Sequence, residues 1–456
     1  MPSQSVSSRR VVVISDLHLG GEPPCMMSTP ARLAQFIEQL PSRLRPGEQL
    51  ELVIAGDFVD FLAIKPFEAW TIDPLNAVAK LHRTMTEPLF REIFDALARF
   101  VAGGHRVTIL VGNHDVELAL PTVQQAFLQR IDARQHDVLF VDDGRAYRIG
   151  RLLIEHGNRY DGANENDWTG LRIIASALSR GEQPPVKLDV SPGSRLVERI
   201  VAPLRSRYPF IDLLQPQGEL VALLLAAFEP ALIVNLPRLG RILQARRLQS
   251  RNRDGLQPGR TSAVAFDTTE PVEDLELREV FGGAYEALRR PSEEVMASDL
   301  LFAAWAARKD SLSEILERGE EIPDGRLRQI QTALRRLLLS DVSDREDGET
   351  EQYGAAARRL IDESKSEVET ILMGHTHLAR RIGPAERASY INTGTWADVI
   401  RVPREALDKG GERELQDFLV KLKRNEGRTS PATYADVRVE SSGAVSDSRL
   451  LRADPI

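Results

Sequence analysis

Five short polar pieces of this chain each follow directly on an apolar run that is typical of a β-strand. The apolar runs lie at 11–15, 50–55, 107–111, 151–155 and 368–373. The polar pieces are DLH at 16–18, GDFVD at 56–60, GNHD at 112–115, HG at 156–157 and GHTH at 374–377. A fold that brings these five strand ends together therefore gathers oxygen and imidazole ligands at one place.

These side chains have the chemistry of a site for divalent cations. Asp16 and His18 stand two apart just after a strand, which puts both on the same side of the loop. Carboxylate, carboxamide and imidazole without thiolate suit Mn²⁺, Fe or Zn²⁺. Five of the eight histidines fall inside the pieces, and we interpret the other three, His82, His105 and His136, as structural. The set predicts a centre with two metals, which is a common means of splitting phosphate esters.

Short apolar runs alternate with helical patterns over residues 10–170, and the strand signals return near Val368. This βαβ rhythm is typical of a layered α/β domain. The intervening residues show helical periodicity, several proline breaks and almost no strand signal. We therefore predict a first core part at 8–170, a helical insertion at 171–350 and a second core part at 351–456. A C-terminal helix and a hairpin across 441–444 complete the second core part.

The five pieces together resemble the motifs of the calcineurin-like metallophosphoesterase superfamily. This resemblance implies a four-layer α/β/β/α sandwich, here with a large helical insertion. It also implies two divalent cations bridged by Asp57. One cation would be held by Asp16, His18, Asp57 and His377, and the other by Asp57, Asn113, His156 and His375.

The resemblance further implies the hydrolysis of a phosphate ester or pyrophosphate by metal-activated water. His114 is then the general acid that protonates the leaving-group oxygen, and Asp115 is expected to hold its ring. A positioned general acid contributes about 10²–10⁴-fold in rate. Asp60 has two open interpretations, which are a helix cap and a partner that orients a histidine ligand.

Substrate contacts are less defined by the sequence. Residues 158–161 follow a predicted ligand histidine, so they are expected beside the metals. Arg159 suits a phosphate oxygen but also suits Asp161 or Asp167 as an ion-pair partner. We predict substrate binding by four residues, which are Arg159, Tyr160, Arg380 and Arg381.

Among branches of the superfamily, the motifs are nearest to those of the UDP-2,3-diacylglucosamine pyrophosphohydrolases, which also carry a helical lid. This chain reads HGN at 156–158 where those enzymes read HGD, and its insertion is much longer. Only the fold, the metals and phosphoester hydrolysis are therefore transferred. The insertion is expected to act as a lid that selects a phosphorylated small molecule or a lipid-linked substrate.

The cellular location is inferred from cysteine usage and hydropathy. Cys25 is the only cysteine, which favours the cytoplasm, and neither a signal peptide nor a spanning helix is predicted. The apolar stretch 220–243 followed by six arginines within 238–253 suits either peripheral membrane contact through 218–253 or a helical subdomain core with a basic flank. The first interpretation places the protein at the inner membrane face.

Two other function classes stay open. The same metal site serves nucleases, and residues 170–260 carry an excess of Arg and Lys. However, the chain has a net charge of −8 and only 6% aromatic residues, so a platform for base stacking is not evident. An inactive scaffold that binds a protein partner is the second alternative, and the intact ligand positions argue against it.

Overall fold

The computed structural model describes residues 8–205, 207–215, 219–228, 311–339, 342–384 and 386–453. Most of the apolar stretch 220–243 and its arginines lie outside the described residues. The chain divides into two compact units. The first comprises Met1–Leu204, Glu349–Val399 and Thr429–Ile456, and the second comprises Arg205–Gly348 and Ile400–Arg428. The insertion boundaries of 171–350 remain a prediction.

The strands and helices have the following bounds. The strands are β1 Ser8–Ile14, β2 Glu48–Ala55, β3 Arg106–Leu110, β4 Val138–Val141, β5 Tyr147–Ile149, β6 Leu152–Ile154, β7 Leu214–Gln215, β8 Thr370–Met373, β9 Arg380–Ile382, β10 Tyr390–Asn392, β11 Ile400–Arg401, β12 Thr433–Glu440 and β13 Val445–Arg452. The α-helices are α1 Pro30–Gln39, α2 Pro74–Thr86, α3 Arg91–Ala102, α4 Pro121–Arg130, α5 Trp168–Ser179, α6 Pro192–Leu196, α7 Ala202–Arg205, α8 Glu219–Phe228, α9 Leu312–Glu317, α10 Asp324–Leu339, α11 Val342–Glu363, α12 Arg404–Leu407 and α13 Glu412–Lys423. Short 3₁₀ helices span Leu40–Arg43, Phe61–Ala63, Val116–Ala119 and Asn158–Tyr160, and a π-helical turn spans Val197–Val201.

The first unit contains two sheets. Within the described residues, six strands form the first sheet in the order β13-β12-β1-β2-β3-β4, and five form the second in the order β5-β6-β8-β10-β9. Strands β1 to β4 run parallel to one another, whereas β12 and β13 form an antiparallel hairpin beside β1. The hairpin predicted from the sequence is thus confirmed.

Alternation along β1 shows how the layers are stacked, because successive side chains of a strand point to opposite faces. Val12 and Ile14 belong to a core with α1, α2, α3 and α4, while Val11 and Val13 belong to a core with strands of the second sheet. On the far face of the second sheet, Tyr353 of α11 packs with Ile371. These cores confirm the predicted α/β/β/α sandwich.

Local sequence signals begin several of these helices. Pro30 stands at the start of α1 and Pro74 at the start of α2, where the missing N–H costs no helical hydrogen bond. The side chain of Asp73 caps α2 by accepting a hydrogen bond from the backbone N–H of Asn76 at 2.8 Å. Helix α3 buries Phe94 and Leu97 on one face, so packing of an amphipathic helix completes the layer.

The second unit is mainly helical over its described residues. Strands β7 and β11 form a short parallel pair, and a capping box between Ser311 and Glu314 begins α9. The rings of Tyr208, Phe210 and Phe228 pack together in its interior, with centroids 5.5–6.2 Å apart. No helix in the described part of the chain combines the length and apolarity that crossing a membrane requires.

Candidate metal centre

The five polar pieces follow strands that lie next to one another. Strands β1, β2 and β3 are parallel neighbours in the first sheet, and β6 and β8 are parallel neighbours in the second. The carboxyl ends of parallel neighbours meet at one edge of a sheet, and this edge is where ligand sites form in such folds. The predicted convergence of the strand ends is therefore present in the first unit.

Several residues of these loops have an unusual backbone conformation. Among the described residues, ten residues other than glycine have a positive φ, and five of these belong to the polar pieces. The five are Asp16, His18, Asp57, His375 and His377, with φ between 48° and 71°. Such conformations cost free energy and cluster at functional sites. The strain indicates that side-chain placement at this edge is held by the surrounding fold.

Three groups of ligand side chains lie close together among the described residues, with candidate ligand atoms within 4.8 Å of one another in each group. The groups are Asp16, His18 and His377; His18, Asp57 and His114; and Asp57, His156 and His375. Asp57 belongs to two of these groups. Its Oδ2 lies 3.3 Å from Nε2 of His156 and 3.7 Å from Nε2 of His18. One carboxylate thus stands between two sets of ligands, as the bridging prediction requires.

The hydrogen bonding of His156 fixes which ring nitrogen is free to bind a cation. Its Nδ1 lies 2.8 Å from the carbonyl oxygen of Ala55, which can only accept, so Nδ1 carries the proton. Its Nε2 lies 3.2 Å from Oδ1 of Asn113 and 3.3 Å from Oδ2 of Asp57. Burial opposes protonation of this ring, but the charge of Asp57 raises its pKa to about 10, so a cation bound here would take the place of the Nε2 proton. An imidazole nitrogen, an amide oxygen and a carboxylate oxygen facing one another are a donor set that suits a divalent cation. The residues present therefore fit the metal that the sequence predicts.

The glycines of the polar pieces leave room for these ligands. A Cβ on Gly112 would overlap the carboxylate and the backbone nitrogen of Asp57. A Cβ on Gly56 would overlap the ring of His156, and Gly56 also has a φ of +89°. The glycines that precede Asp57 and Asn113 are therefore needed to bring the loops after β2, β3 and β6 into contact.

Electrostatics keep two of the predicted ligands, Asp57 and His18, in the protonation states that metal binding needs. Burial opposes ionisation of Asp57, but the nearby charges of His156, His114 and His18 hold its pKa well below the usual value. Burial, together with the charges of His114 and His377, lowers the pKa of His18 to about 3, although Asp57 opposes this. Asp57 is therefore a carboxylate and His18 a neutral imidazole at pH 7.

His114 occupies a different position from the predicted ligands. Burial would lower the pKa of its ring, but Asp57 and Asp60 raise that pKa to about 9. Its Nδ1 lies 3.1 Å from Oδ1 of Asp60, and its ring packs edge-on against His18 at a centroid distance of 4.7 Å. His114 therefore carries a proton at neutral pH, which is the state that a general acid needs.

The expectation that Asp115 holds the His114 ring is wrong, because Asp60 makes that contact. The carboxylate of Asp115 instead accepts hydrogen bonds from the backbone N–H of Phe58 at 2.7 Å and of Gly112 at 2.6 Å. It thereby joins the loops after β2 and β3. Burial and the charge of Asp57 raise its pKa to about 7. Asp115 thus has an architectural contact in place of the catalytic one expected.

Two of the four predicted substrate residues are engaged with Glu155. Arg159 pairs with Glu155 at 3.2 Å and also donates to the carbonyl of Gly144, so its partner is neither of the aspartates considered. The hydroxyl of Tyr160 donates to Glu155 at 2.6 Å. Arg380 and Arg381 lie on β9, the outer strand of the second sheet. Binding of substrate by these four residues remains a prediction.

Sequence reasoning missed a set of polar contacts that support the ligands. The backbone N–H of His375 donates to both oxygens of Asp16 at 3.0–3.1 Å, and Thr395 donates to the carbonyl of Asp16 at 2.7 Å. The side chain of Asn392 donates to the carbonyl of Gly374 at 2.7 Å. The sequence signal for these residues is the NTGTW stretch at 392–396, which follows a strand of the same sheet as the GHTH piece.

Comparison with protein families supports the fold. The layered α/β sandwich and its buried groups of ligand side chains fit the class of metal-dependent hydrolases. Residues 9–190 match the family model of the calcineurin-like phosphoesterases. This chain therefore carries a calcineurin-like phosphoesterase domain and is a hydrolase that acts on phosphoester bonds, which confirms the resemblance at the level of the superfamily. The comparison with curated proteins gave no match.

Proposed function

We propose that this protein hydrolyses a phosphate ester or pyrophosphate bond with two divalent cations held at the Asp57 clusters. The observation that carries the proposal is the position of Asp57, whose carboxylate lies within reach of His18 on one side and His156 on the other. A carboxylate with two oxygens is suited to bridge two cations and to offset their mutual repulsion.

The proposed division of ligands is the one that the resemblance implies. Asp16, His18, Asp57 and His377 would hold one cation, and Asp57, Asn113, His156 and His375 would hold the other, which is supported by the close groups of these side chains. Bound cations of this kind lower the pKa of a nearby water and stabilise the charge that develops on phosphate oxygens. The chain's own contribution is to hold the ligands at fixed positions through the backbone contacts described above.

His114 supplies the proton in the proposed reaction. Its ring lies beside His18 but is held by Asp60. A protonated imidazole at this position donates to the oxygen of the departing group, which is most important when that oxygen is strongly basic. Asp60 serves as the positioning residue, because its carboxylate fixes the ring and favours the protonated form.

The substrate of this reaction is proposed to be a phosphorylated small molecule or a lipid-linked phosphate in the cytoplasm. The single cysteine supports this compartment, and Arg380 and Arg381 supply positive charge for additional phosphate oxygens. The insertion is proposed to select the substrate. Nucleic acid is the second candidate substrate, because the excess of Arg and Lys over residues 170–260 suits contact with a phosphate backbone.

The proposal is tested with metal-free protein reconstituted separately with Mn²⁺, Fe²⁺ or Zn²⁺ and assayed on a panel of substrates. The panel contains an aryl phosphate, a bis-aryl phosphate, a UDP-sugar, a cyclic nucleotide and single-stranded DNA. We expect metal-dependent hydrolysis of at least one small phosphoester or pyrophosphate, and its loss in Asp57→Ala. A protein that binds metal but hydrolyses only DNA would favour the nuclease, and inactivity on the whole panel would favour a scaffold.

A further inference from the structure

The loop that follows His156 carries a carboxylate that contacts a second predicted metal ligand. Oδ2 of Asp161 lies 3.3 Å from Nε2 of His375. The ring of His375 also packs against the ring of His156, another member of the same cluster, at a centroid distance of 5.3 Å. The sequence predicts Asp161 beside the metals or as a partner of Arg159, whereas its contact with His375 points to a different role.

The chemistry of this contact determines the tautomer of His375. An ionised carboxylate accepts hydrogen bonds and cannot donate, so Nε2 of His375 is the nitrogen that carries the proton. A neutral imidazole has one protonated nitrogen, which leaves Nδ1 with the lone pair. A carboxylate that accepts from the second nitrogen of a metal-binding histidine also fixes the orientation of the ring and increases its basicity.

Asp161 is itself held in place by its own loop. Oδ1 accepts from the backbone N–H of Ala163 at 3.0 Å, and Oδ2 accepts from the side chain of Asn164 at 2.7 Å. The loop is closed further by Asn158, whose side chain donates to the carbonyl of Asn164 at 2.9 Å. The carboxylate is therefore presented to His375 by a preorganised turn.

We propose that Asp161 is a positioning residue that holds His375 in the Nε2–H tautomer and so makes Nδ1 its metal-binding nitrogen. This inference deepens the proposed function and rests on it for the identity of His375 as a ligand. The structure provides the same arrangement at His156, where the carbonyl of Ala55 accepts from the nitrogen that does not face the cluster. The two histidines of one cluster would thus be oriented by different acceptors, one from the backbone and one from a side chain.

The test uses Asp161→Ala in the full-length chain, with Asp143→Ala as the matched control. Asp143 also accepts from the backbone N–H two residues later, Arg145, at 3.0 Å, and its side chain is 25% exposed against 27% for Asp161. Asp143 makes no described contact with a histidine. Both variants lose a turn hydrogen bond, but only one loses a contact with the candidate metal centre.

The first measurement is the tautomer of His375 in metal-free protein, by long-range ¹H–¹⁵N NMR of protein labelled in histidine. The His375 signal is assigned by its loss in His375→Asn. We expect the Nε2–H form in the unmodified protein and in Asp143→Ala, and a mixture of tautomers in Asp161→Ala. An unchanged Nε2–H form in Asp161→Ala would overturn the inference.

The second measurement is Mn²⁺ binding by calorimetry. We expect Asp161→Ala to weaken one of two binding events by about 10–100-fold, as is usual for the loss of such a partner, and to leave the other unchanged. Equal affinities in Asp161→Ala and Asp143→Ala would also overturn the inference. If the unmodified protein binds no metal, the proposed function fails, whereas the NMR result on Asp161 still stands by itself. Asp161→Leu, which has a side chain of similar size and no acceptor oxygen, replaces the alanine variant if the latter does not fold.

Discussion

The contact between Asp60 and His114 gives the most specific kinetic prediction. Asp60→Asn removes one negative charge that lies 3.1 Å from Nδ1 of His114, and it does so at a position that is only 1% exposed. The substitution preserves the size of the side chain. Its main effect is therefore on the protonation and orientation of His114, with the ligands of the metal clusters left in place.

The expected magnitude follows from the pKa of His114, which is raised to about 9. Asp57 and Asp60 both contribute to this increase, after burial has opposed it. If the pKa returned to the ordinary value of about 6.5, the protonated fraction at pH 8 would fall roughly 30-fold. Because Asp57 remains, about 30-fold is an upper limit for Asp60→Asn. Cations bound nearby lower the pKa of His114 in both proteins. The predicted quantity is therefore the difference in this pKa between the unmodified protein and Asp60→Asn.

The sign of the effect on the pH profile is fixed by the role of the proton. A general acid acts in its protonated form, so activity is lost as the pH rises through its pKa. Asp60→Asn is expected to move this alkaline loss of kcat to lower pH. Activity at acid pH, where His114 is protonated in both proteins, is expected to change much less.

The assay measures kcat against pH for two substrates with different leaving groups. A nitrophenolate leaves without a proton, whereas an alkoxide requires one, so the shift is expected for the alkyl ester and should nearly vanish for the nitrophenyl ester. His114→Asn serves as the reference for complete loss of the acid and is expected to retain bound metal. If Asp60→Asn lost kcat equally on both substrates and its pH profile were unshifted, the roles of His114 as general acid and Asp60 as its positioning residue would be refuted.

Two further predictions concern the supporting structure. Gly112→Ala places a Cβ against Asp57, so the affinity for Mn²⁺ measured by calorimetry should fall. The control Gly325→Ala, where the Cβ meets nothing within 4 Å, should leave this affinity unchanged. Equal Mn²⁺ affinities in the two variants would contradict the close approach of Gly112 to Asp57. Lys80 and Glu117 form a fully buried ion pair at 2.8 Å, so Lys80→Met should lower the free energy of unfolding in urea by about 3–5 kcal/mol. The double variant Lys80→Met with Glu117→Gln should recover much of this loss, and simple additivity of the two changes would argue against the pair.

The grouping of the candidate ligands was predictable from the sequence because each of them lies within four residues after the end of a strand. Parallel strands place such positions at one edge, so Asp57 and His156 are neighbours although they are far apart in the chain. The layers were also predictable, since the last four residues of β1, Val11 to Ile14, form an apolar run that is buried on both faces.

The partner of His114 was not predictable in this way. Asp115 is next to it in sequence, but its carboxylate accepts from the backbone N–H groups of Phe58 and Gly112. The loop after β2 brings Asp60 to the ring instead. Similarly, Arg159 sits on a 3₁₀ turn that directs it back to Glu155, four residues earlier. Contacts of this kind depend on how loops from separate strands meet, which hydrophobic periodicity does not encode.

The most direct test of the account is the number of Mn²⁺ ions bound by the unmodified protein, Asp57→Ala and His375→Ala, measured by calorimetry and by metal analysis after gel filtration. We expect about two ions per chain for the unmodified protein, as in other two-metal centres. His375→Ala should lose tight binding at one site only, whereas Asp57→Ala should weaken both. Retention of one site with unchanged affinity in Asp57→Ala would contradict the claim that this carboxylate is shared.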